Sequence, residues 1–331
     1  MDHAPRQKPV GLCRQQHIEI TAVEKRNNWY HQYQEIPGVA GGMRSLASRV
    51  KHFNTEDFDG SSVLDLGSNV GQMSFWAAQH GASSVTGVEF DLEAYRKALG
   101  FKHRVPNGDK VIFRLDDLDM PTAWHNLPVH DVVLFLSLID IKELENRFGM
   151  LARACMKTGR VLYFEGHLRQ PLTKYFRYLL DYTDFTQIKH MGASEGRDLF
   201  RATRDILDTN QFYAALREAI EKYDRVGVVG NQLSGKTTLK NGIDPGSLPA
   251  EVRVLDDCKK FAVLGEPGKM IAFDYRAALY MDDLEVIFNV LSPRSKWETW
   301  RSDLSPLRSS KLRPIQRLRE FHTVLTHGSL T

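Results

Sequence analysis

The sequence predicts an α/β protein with an open, mostly parallel sheet, and three observations support this prediction. Apolar runs typical of buried strands alternate with helical stretches from Ser62 onward. Two glycine-rich loops each follow such a run directly and precede a helical stretch. No internal repeat or low-complexity tract interrupts the alternation. Strands that alternate with helices form parallel sheets covered by helices on both faces.

Composition and cysteine usage exclude several classes of protein. The 331 residues are enough for two domains, and 42% are apolar and 26% charged, as in globular proteins. No run approaches the roughly 18 apolar residues of a membrane helix, and the first residues lack the apolar stretch of a secretory signal. The three cysteines lie far apart, without the spacing of a zinc site or a disulfide framework. We therefore expect a cytoplasmic protein without a membrane span.

Seven strands are predicted in the first two-thirds of the chain. Helical stretches at 71–80, 92–100 and 142–156 separate the first five. The last two strands flank the turn-rich segment 192–197, which indicates an antiparallel hairpin at the sheet edge. In chain order the predicted strands are Val63–Leu66, Val85–Glu89, Val111–Leu115, Asp131–Ser137, Arg160–Phe164, Phe185–Met191 and Leu199–Thr203.

The first glycine-rich loop follows the strand that contains Asp65 and has the sequence Gly67-Ser68-Asn69-Val70-Gly71. Small residues let a ligand approach the backbone closely, and N–H groups at a helix start favour an anionic group. Glu89 ends the next strand, where a carboxylate is placed to bind a ribose diol. Taken alone, the loop also fits a turn that only packs a helix on a strand, but Glu89 favours a nucleoside site.

Asp65 distinguishes between two classes of cofactor. A dinucleotide-binding loop has the pattern G-x-G-x-x-G, whereas this segment has the pattern D-x-G-x-x-x-G. A carboxylate at this position would repel a pyrophosphate and attract an ammonium group. The pattern therefore favours S-adenosylmethionine, whose methionyl part carries both an ammonium and a carboxylate.

On these motifs, residues 29–204 resemble the class I, Rossmann-like methyltransferases that use S-adenosylmethionine. Asp65, Gly67 and Gly71 match the first motif of the family, and Asn69 stands where a glycine is usual. Asparagine is one of the few other residues that tolerate a left-handed backbone. Arg114–Leu118 looks like the third motif, in which an acid meets the adenine amine, and the hairpin looks like the final two strands of the family's seven-stranded sheet. The resemblance implies a cofactor site made of Asp65, Gly67, Ser68, Asn69, Gly71, Glu89, Phe90, Asp116, Asp117 and Ser137.

The methyl acceptor is less evident from the sequence. Methyl transfer is an in-line displacement in which positioning dominates, and a general base helps only when the nucleophile carries a proton. Glu165 and His167 follow an apolar strand at the ligand-binding edge of a parallel sheet and are candidate catalytic residues, as are Ser137 and Asp140. The alternative is that Glu165 and His167 only cap the next helix. The segment 29–31 (Trp-Tyr-His) suggests either a lid over the cofactor or an anchor for the N-terminal segment.

The second glycine-rich loop, Gly230–Thr237, is a full G-x-x-x-x-G-K-T pattern between the strand Arg225–Val229 and a helix. In this pattern backbone N–H groups bind the β-phosphate, Lys236 reaches the β- and γ-phosphates, and the Thr237 hydroxyl binds Mg²⁺. The segment looks like a compact P-loop kinase, with Asp274 at the end of an apolar strand as a second metal ligand, and this resemblance implies ATP and Mg²⁺ as cofactors. The residues that it assigns to nucleotide and metal are Gly230, Ser234, Gly235, Lys236, Thr237, Thr238 and Asp274, of which Lys236 and Asp274 are also candidate catalytic residues.

These motifs divide the chain into four parts: an N-terminal extension or lid (1–60), a methyltransferase domain (61–205), a linker helix (206–224) and a P-loop kinase-like domain (225–331). The favoured interpretation is a bifunctional enzyme that transfers a methyl and a phosphoryl group to a small-molecule or glycan acceptor. One alternative is a methyltransferase with a regulatory nucleotide-binding domain. Another is an RNA (tRNA) methyltransferase whose basic C-terminal segment binds phosphates, although a net charge of +3 does not favour nucleic acid.

Overall fold

The structure is a computed structural model, and it describes the chain from residue 34 to residue 290 with gaps. The described residues are 34–36, 42, 44–141, 144–166, 170–204, 207, 209–229, 236–255, 268–273 and 284–290. The segment 29–31, His167, the loop residues 230–235, Asp274 and the basic C-terminal segment lie outside these ranges.

Eleven strands in the described ranges form one sheet. In chain order they are β1 (Ser62–Leu66), β2 (Ser84–Glu89), β3 (Val111–Leu115), β4 (His130–Leu136), β5 (Thr158–Glu165), β6 (Gln187–Ser194), β7 (Arg197–Thr203), β8 (Arg225–Val229), β9 (Arg253–Leu255), β10 (Met270–Ala272) and β11 (Val286–Asn289). Their order across the sheet is β3-β2-β1-β4-β5-β7-β6-β11-β8-β10-β9.

Eight α-helices accompany these strands in the described part of the chain. They are α1 (Leu46–Val50), α2 (Gln72–Gln79), α3 (Leu92–Lys102), α4 (Thr122–His125), α5 (Arg147–Met156), α6 (Leu172–Tyr182), α7 (Thr209–Lys222) and α8 (Lys236–Asn241). The helices α2 and α3 pack on one face of the sheet and α5 and α6 on the other. None of the helices described is long and apolar enough to cross a bilayer.

The first seven strands confirm the predicted seven-stranded sheet with its terminal antiparallel hairpin. Strands β1 to β5 are parallel, and β7 lies between β5 and β6 and is antiparallel to both. The connection after β1 leads to β2 on one side, whereas the connection after β4 leads to β5 on the other. Ligands bind at the carboxyl ends of parallel strands where the connections diverge in this way. The topology therefore predicts a ligand site at the carboxyl ends of β1 and β4.

The hairpin strands are longer than the sequence predicts. The predicted connection spans residues 192–197, but in the structure only Glu195 and Gly196 lie between β6 and β7. Both residues have positive φ, 54° and 77°. A two-residue turn with two positive φ angles matches the right-handed twist of the paired strands, so the pairing continues up to the turn. Arg197 consequently belongs to a strand rather than to a loop.

The C-terminal strands extend the same sheet instead of forming a separate one. Strand β11 pairs antiparallel with β6, with Ile287 opposite Ile188, and β8, β10 and β9 follow in parallel. Met270 and Ile287 share one buried cluster with Phe176. Pairing with β11 satisfies backbone groups that β6 would otherwise expose at an edge. The domain boundaries at 60, 205 and 224 and the P-loop domain stay predictions.

Helix α7 falls within the predicted linker 206–224, and it packs against the sheet. Its buried residues Phe212, Leu216 and Ile220 form a cluster with Val226 of β8 and Phe288 of β11. Because it covers these two strands, α7 is part of their hydrophobic core.

The described part of the N-terminal extension is fastened to the sheet through Asp57. The Asp57 carboxylate accepts hydrogen bonds from Arg201 Nε at 2.7 Å and from the Tyr163 hydroxyl at 2.6 Å. Burial raises the pKa of Asp57, but the hydrogen bonds from Arg201 and Tyr163 outweigh it and hold that pKa below its ordinary value. These bonds position the segment that precedes β1, which includes Arg44 and Arg49.

Candidate functional site

A cleft opens at the carboxyl ends of β1 and β4, where the strand connections diverge. Its cavity volume is about 90 Å³. Its walls come from the loop after β1, the end of β4, the N-terminal segment and the start of β7. Residues that the sequence predicts and that line it are Asp65, Gly67, Ser68, Asn69 and Ser137.

The loop after β1 has the left-handed backbone that its sequence predicts. The φ angles are 68° at Gly67, 52° at Asn69 and 91° at Gly71. The tolerance of asparagine for this conformation is therefore used at Asn69. A Cβ atom on Gly67 would lie 2.8 Å from Leu138 Cδ2, so the loop also passes close to the residues that follow β4. A side chain on Gly67 would fill space at the cleft wall.

Asp65 lies buried in the wall of the cleft. Its Oδ2 accepts a hydrogen bond of 2.6 Å from Ser74 Oγ in α2. Burial raises the pKa of Asp65 to about 6, against the opposing effect of this hydrogen bond. A nearby cationic ligand group would favour the ionised form of Asp65 and offset the desolvation of its charge.

Glu89 ties the end of β2 to the glycine-rich loop. Its carboxylate accepts backbone N–H bonds from Asn69 at 2.7 Å, Phe90 at 3.0 Å and Asp91 at 2.8 Å. Burial raises the pKa of Glu89 in spite of these bonds. A carboxylate has roughly four acceptor positions, so these three bonds leave capacity for about one more hydrogen bond. Glu89 therefore shapes the loop as well as being a candidate for ribose binding.

Three further predicted residues follow β2 and β3 and do not line the cleft. The Phe90 side chain is 70% exposed. Asp116 forms an ion pair with Arg114 Nη2 at 3.0 Å, and Asp117 Oδ1 accepts a hydrogen bond of 2.9 Å from the Asp119 backbone. Because β2 is parallel to β1 and β3 is parallel to β2, these residues lie along the same edge of the sheet.

Glu165, at the end of β5, is surrounded by arginines. Its carboxylate oxygens lie 3.2 and 3.1 Å from Arg44 Nη2, 3.3 Å from Arg49 Nη2 and 3.8 Å from Arg197 Nη1. Ser137 Oγ donates a short hydrogen bond to the same carboxylate. Burial raises the pKa of Glu165, but the charges of Arg49 and Arg44 outweigh it and bring that pKa to about 2. Glu165 is thus ionised across the neutral range.

This environment bears on the predicted catalytic role of Glu165. A carboxylate with a pKa of about 2 is a weak proton acceptor near neutral pH. Its contacts favour a role in positioning the arginines. Asp140, another candidate, accepts a hydrogen bond of 2.7 Å from the Tyr175 hydroxyl and lies 3.8 Å from Lys174 Nζ.

Ser137 leaves β4 with a left-handed backbone. Its φ of 62° ends the strand one residue earlier than predicted and brings its hydroxyl to Glu165 and to Arg197 Nη1, 3.0 Å away. A non-glycine residue in this conformation costs of order 1–3 kcal/mol, and such strain clusters at functional sites.

Four buried side-chain atoms in the described ranges make no hydrogen bond there, and all four belong to residues that line the cleft. They are Gln34 Oε1, Arg44 Nε, Arg49 Nε and Ser68 Oγ. Buried polar atoms are nearly always hydrogen-bonded in folded proteins. The two arginine nitrogens are donors suited to an anion, and the glutamine oxygen is an acceptor suited to an ammonium group. The cleft therefore fits a ligand that carries both charges.

Sequence reasoning missed Gln34, Arg44, Arg49 and Arg197. The first three lie in a polar segment without helical or strand periodicity, and Arg197 lies in what the sequence indicates as a connection. A two-residue turn at Glu195-Gly196 was the one available signal, since it would have assigned Arg197 to a strand that ends near the cleft.

The second glycine-rich loop connects β8 to α8. Strand β8 is buried along its whole length and lies between the parallel strands β10 and β11. Helix α8 begins at Lys236, so Lys236, Thr237 and Thr238 form its first turn. Within the ranges described, no group of three or more His, Cys, Asp or Glu side chains is placed to hold a metal ion.

Comparisons with known proteins give similarity to solved structures alone. No protein-family model matches the chain, and no curated protein matches it. The chain is similar to magnesium protoporphyrin IX methyltransferase from Synechocystis PCC 6803, at 19% identity over 45% of this chain and 73% of that chain, with a TM-score of 0.38. It is also similar to the bifunctional kinase-methyltransferase WbdD (19%, 54% and 45%, TM-score 0.42) and to EvdMO1 (19%, 55% and 47%, TM-score 0.42). The matched regions cover less than half of the WbdD and EvdMO1 chains.

Proposed function

We propose that this chain binds S-adenosylmethionine in the cleft between β1 and β4 and transfers its methyl group to a small-molecule or glycan acceptor. One observation carries this proposal: the buried polar atoms without hydrogen-bond partners in the described ranges all belong to residues of this cleft, and they suit a zwitterionic ligand. A methionyl group has the required ammonium and carboxylate. The loop and Glu89 add the features expected for the attached nucleoside.

The residues of the cleft and of the neighbouring ends of β1 and β2 divide the cofactor between them. Asp65 and Gln34 are suited to hold the ammonium group, and Ser68 and the arginines to hold the carboxylate. Glu89 is suited to the ribose and Phe90 to the face of the adenine. When bound, S-adenosylmethionine supplies a methyl group on a sulfonium. The protein's own contribution is to orient the acceptor, since positioning dominates in a direct displacement.

Binding of S-adenosylhomocysteine to two alanine variants tests the cofactor site. Gly67 and Gly60 both have a φ of 68°, so alanine strains the backbone at both positions. At Gly67 the new Cβ would lie 2.8 Å from Leu138 Cδ2, whereas at Gly60 nothing lies within 4 Å. Gly60 precedes β1, at the opposite end of the strand from the cleft.

We expect calorimetry to show binding to the wild-type chain and to Gly60→Ala, and loss of binding in Gly67→Ala. Absence of binding to the wild-type chain, or equal loss in both variants, would contradict the proposal. Methyl transfer itself is measured with radiolabelled S-adenosylmethionine and candidate acceptors.

We also propose that the loop between β8 and α8 binds ATP with Mg²⁺ and that the chain transfers a phosphoryl group. The supporting observation is the strand–loop–helix arrangement, in which a wholly buried strand flanked by parallel strands leads to a helix that begins at Lys236. Lys236 would then contact the β- and γ-phosphates and Thr237 the metal, with Asp274 as the second acid.

Lysine substitutions in α8 test this second site. Lys236→Ala should abolish binding of ATP–Mg²⁺, whereas Lys240→Ala, one turn later in the same helix, should retain it. If ATP binds but no phosphorylated product forms with any acceptor that is methylated, the nucleotide has a regulatory role instead.

A further inference from the structure

We infer that the chain has two separate acceptor sites at opposite edges of its sheet, and that a group methylated at one site must leave it before it is phosphorylated at the other. The inference depends on the proposed function, because it uses both of the cofactor sites proposed above. The direction of the strands, their register and the packing between the two sites lead to it.

The two glycine-rich loops follow strands that run in opposite directions. Strands β1, β4 and β5 are parallel, β7 is antiparallel to β5, β6 is antiparallel to β7, and β11 is antiparallel to β6. Strand β8 is parallel to β11, so these three reversals leave it antiparallel to β1. The loop after β1 therefore lies at the edge of the sheet where the cleft opens. The loop that joins Val229 to Lys236 begins at the opposite edge.

The register of the strands gives the separation of the two loops. One unbroken row of paired residues crosses the sheet from the start of β1 to the end of β8. The row consists of Val63, Val132, Val161, Thr203, Gln187, Phe288 and Val228. It crosses six spaces between neighbouring strands, and at about 4.8 Å for each space β1 and β8 lie about 29 Å apart across the sheet. From this row β1 continues toward the cleft as far as Leu66, whereas β8 continues the other way to Val229.

Buried side chains occupy the sheet between the two sites. Phe164, Phe200, Ile188 and Ile287 lie on four successive strands, β5, β7, β6 and β11, and all are fully buried in one cluster. The residues that line the cleft come from segments up to the start of β7, and Arg197 is the last of them in the chain. Among the described residues, the cleft therefore does not continue toward β8.

Both transfers need direct contact between the acceptor and a cofactor. In each, a lone pair of the acceptor forms the new bond while the S–C bond or the terminal P–O bond breaks. The electron pair of the broken bond stays on sulfur or on ADP, and any proton of the acceptor passes to water. The reacting atoms must approach to about 3–3.5 Å. An acceptor group held against the methyl group in the cleft is too far from the γ-phosphate, so each cofactor needs an acceptor site of its own.

A paramagnetic metal ion measures the separation of the two sites. Mn²⁺ takes the same oxygen ligands as Mg²⁺, and it speeds the relaxation of nearby nuclei with the inverse sixth power of the distance. The probes are S-adenosylmethionine labelled with ¹³C in its methyl group and AMP-PNP, an ATP analogue that is not hydrolysed. Both are bound to the full chain, with Mn²⁺ or with Mg²⁺. For a separation of about 29 Å, we expect the effect of Mn²⁺ on the methyl signal to be at least about a hundredfold weaker than at about 10 Å.

Two lysine variants serve as controls for the metal position. Lys236→Ala should lose AMP-PNP, so any relaxation that persists in this variant comes from Mn²⁺ bound elsewhere and is subtracted. Lys240→Ala, one turn later in α8, should give the wild-type result.

The outcomes separate this inference from the proposed function. If either probe does not bind the wild-type chain, the corresponding part of the proposed function fails, and the assignment of two acceptor sites falls with it. If both bind but the methyl signal relaxes strongly, or if AMP-PNP displaces S-adenosylmethionine, the two-site assignment alone is overturned. A weak effect with both probes bound supports it, and this measurement needs only the wild-type chain, so it decides even if Lys236→Ala does not fold.

Discussion

Arg44 and Glu165 are 121 residues apart in the sequence, and their side chains form a buried ion pair in which Arg44 Nη2 contacts both carboxylate oxygens. The pair joins the segment before β1 to the end of β5. Because Arg49 and Arg197 contact the same carboxylate, Glu165 gathers three cations from two distant parts of the chain at one cleft. The N-terminal segment is thus a wall of the site.

Replacing Glu165 with glutamine should destabilise the fold strongly. The change removes the carboxylate and leaves two nearly inaccessible guanidinium groups without their shared counter-charge. Breaking a buried pair by removing one partner costs about 3–5 kcal/mol. We expect a decrease of that order in the free energy of unfolding, measured by urea denaturation at neutral pH.

Glu93→Gln is the matched control, since Glu93 forms an exposed pair with Lys97 within α3. Such pairs contribute about 0.3–0.5 kcal/mol, so we expect a change of that size in the free energy of unfolding of this variant.

The pH dependence of stability is a second test of the role of Glu165. Its pKa in the folded chain is about 2, below the ordinary 4.5, so its stabilising contribution is present above pH 4.5 and is lost as the pH falls toward 2. The difference in stability between wild-type and Glu165→Gln should shrink over that window, and a constant difference would contradict the ion-pair role.

Local patterns were sufficient to predict the first seven strands and the loop after β1. Alternation of apolar runs placed each strand within a few residues, because a strand buried on both faces requires a continuous apolar segment. The sequence also indicated the unusual backbone at Asn69, since few other non-glycine residues adopt it. These features depend on neighbours in the chain.

The arginines around Glu165 and the pairing of the C-terminal strands with β6 could not be predicted, because both depend on residues that are distant in the chain. A single arginine in a polar segment, such as Arg44, gives no periodic signal, and its partner is defined only once β5 and the N-terminal segment meet. Glu165 was predicted from its place at a strand end, but its pKa depends on the arginines around it. The pairing of β6 with β11 joins two edges that have no sequence motif in common.

Binding of S-adenosylhomocysteine should become tighter as the pH rises toward 6. In the ligand-free chain burial raises the pKa of Asp65 from 3.8 to about 6, so its ionisation destabilises the fold as the pH rises through that range. An ammonium group favours the ionised form. Affinity should therefore fall by up to about tenfold per pH unit below 6 and level off above it. Calorimetry between about pH 5 and pH 8 measures the affinity at each pH. Repeating it in two buffers measures the protons released on binding. Asp65→Asn should bind more weakly and without the pH dependence. A wild-type pH profile in this variant would show that ionisation of Asp65 is not the cause of the pH dependence.

Glu89→Gln should weaken the same binding by loosening the loop. The carboxylate accepts three backbone N–H bonds, and an amide replaces one acceptor oxygen with a donor that faces N–H groups. Leaving a buried donor unsatisfied costs about 1–3 kcal/mol. We expect a stability loss in that range together with reduced affinity. Asp91→Asn is the control: Asp91 caps α3 through the Ala94 backbone, and asparagine caps about as well as aspartate. Equal effects of both substitutions would show that Glu89 has no special role in the loop.

The same glycine-to-alanine change should have opposite effects at Gly166 and Gly100. Gly166 follows Glu165, and a Cβ there would lie 2.1 Å from Cζ of the fully buried Tyr175, whose hydroxyl contacts Asp140. Displacing that ring overpacks the core beneath the cleft and should destabilise the fold by about 1–3 kcal/mol or more. Gly100 lies exposed within α3 with nothing within 4 Å of its Cβ position, so alanine there should stabilise by about 0.5–1 kcal/mol. Urea midpoints measured on both variants check the two signs together, and a stable Gly166→Ala chain would mean that Tyr175 is free to move away from the end of β5.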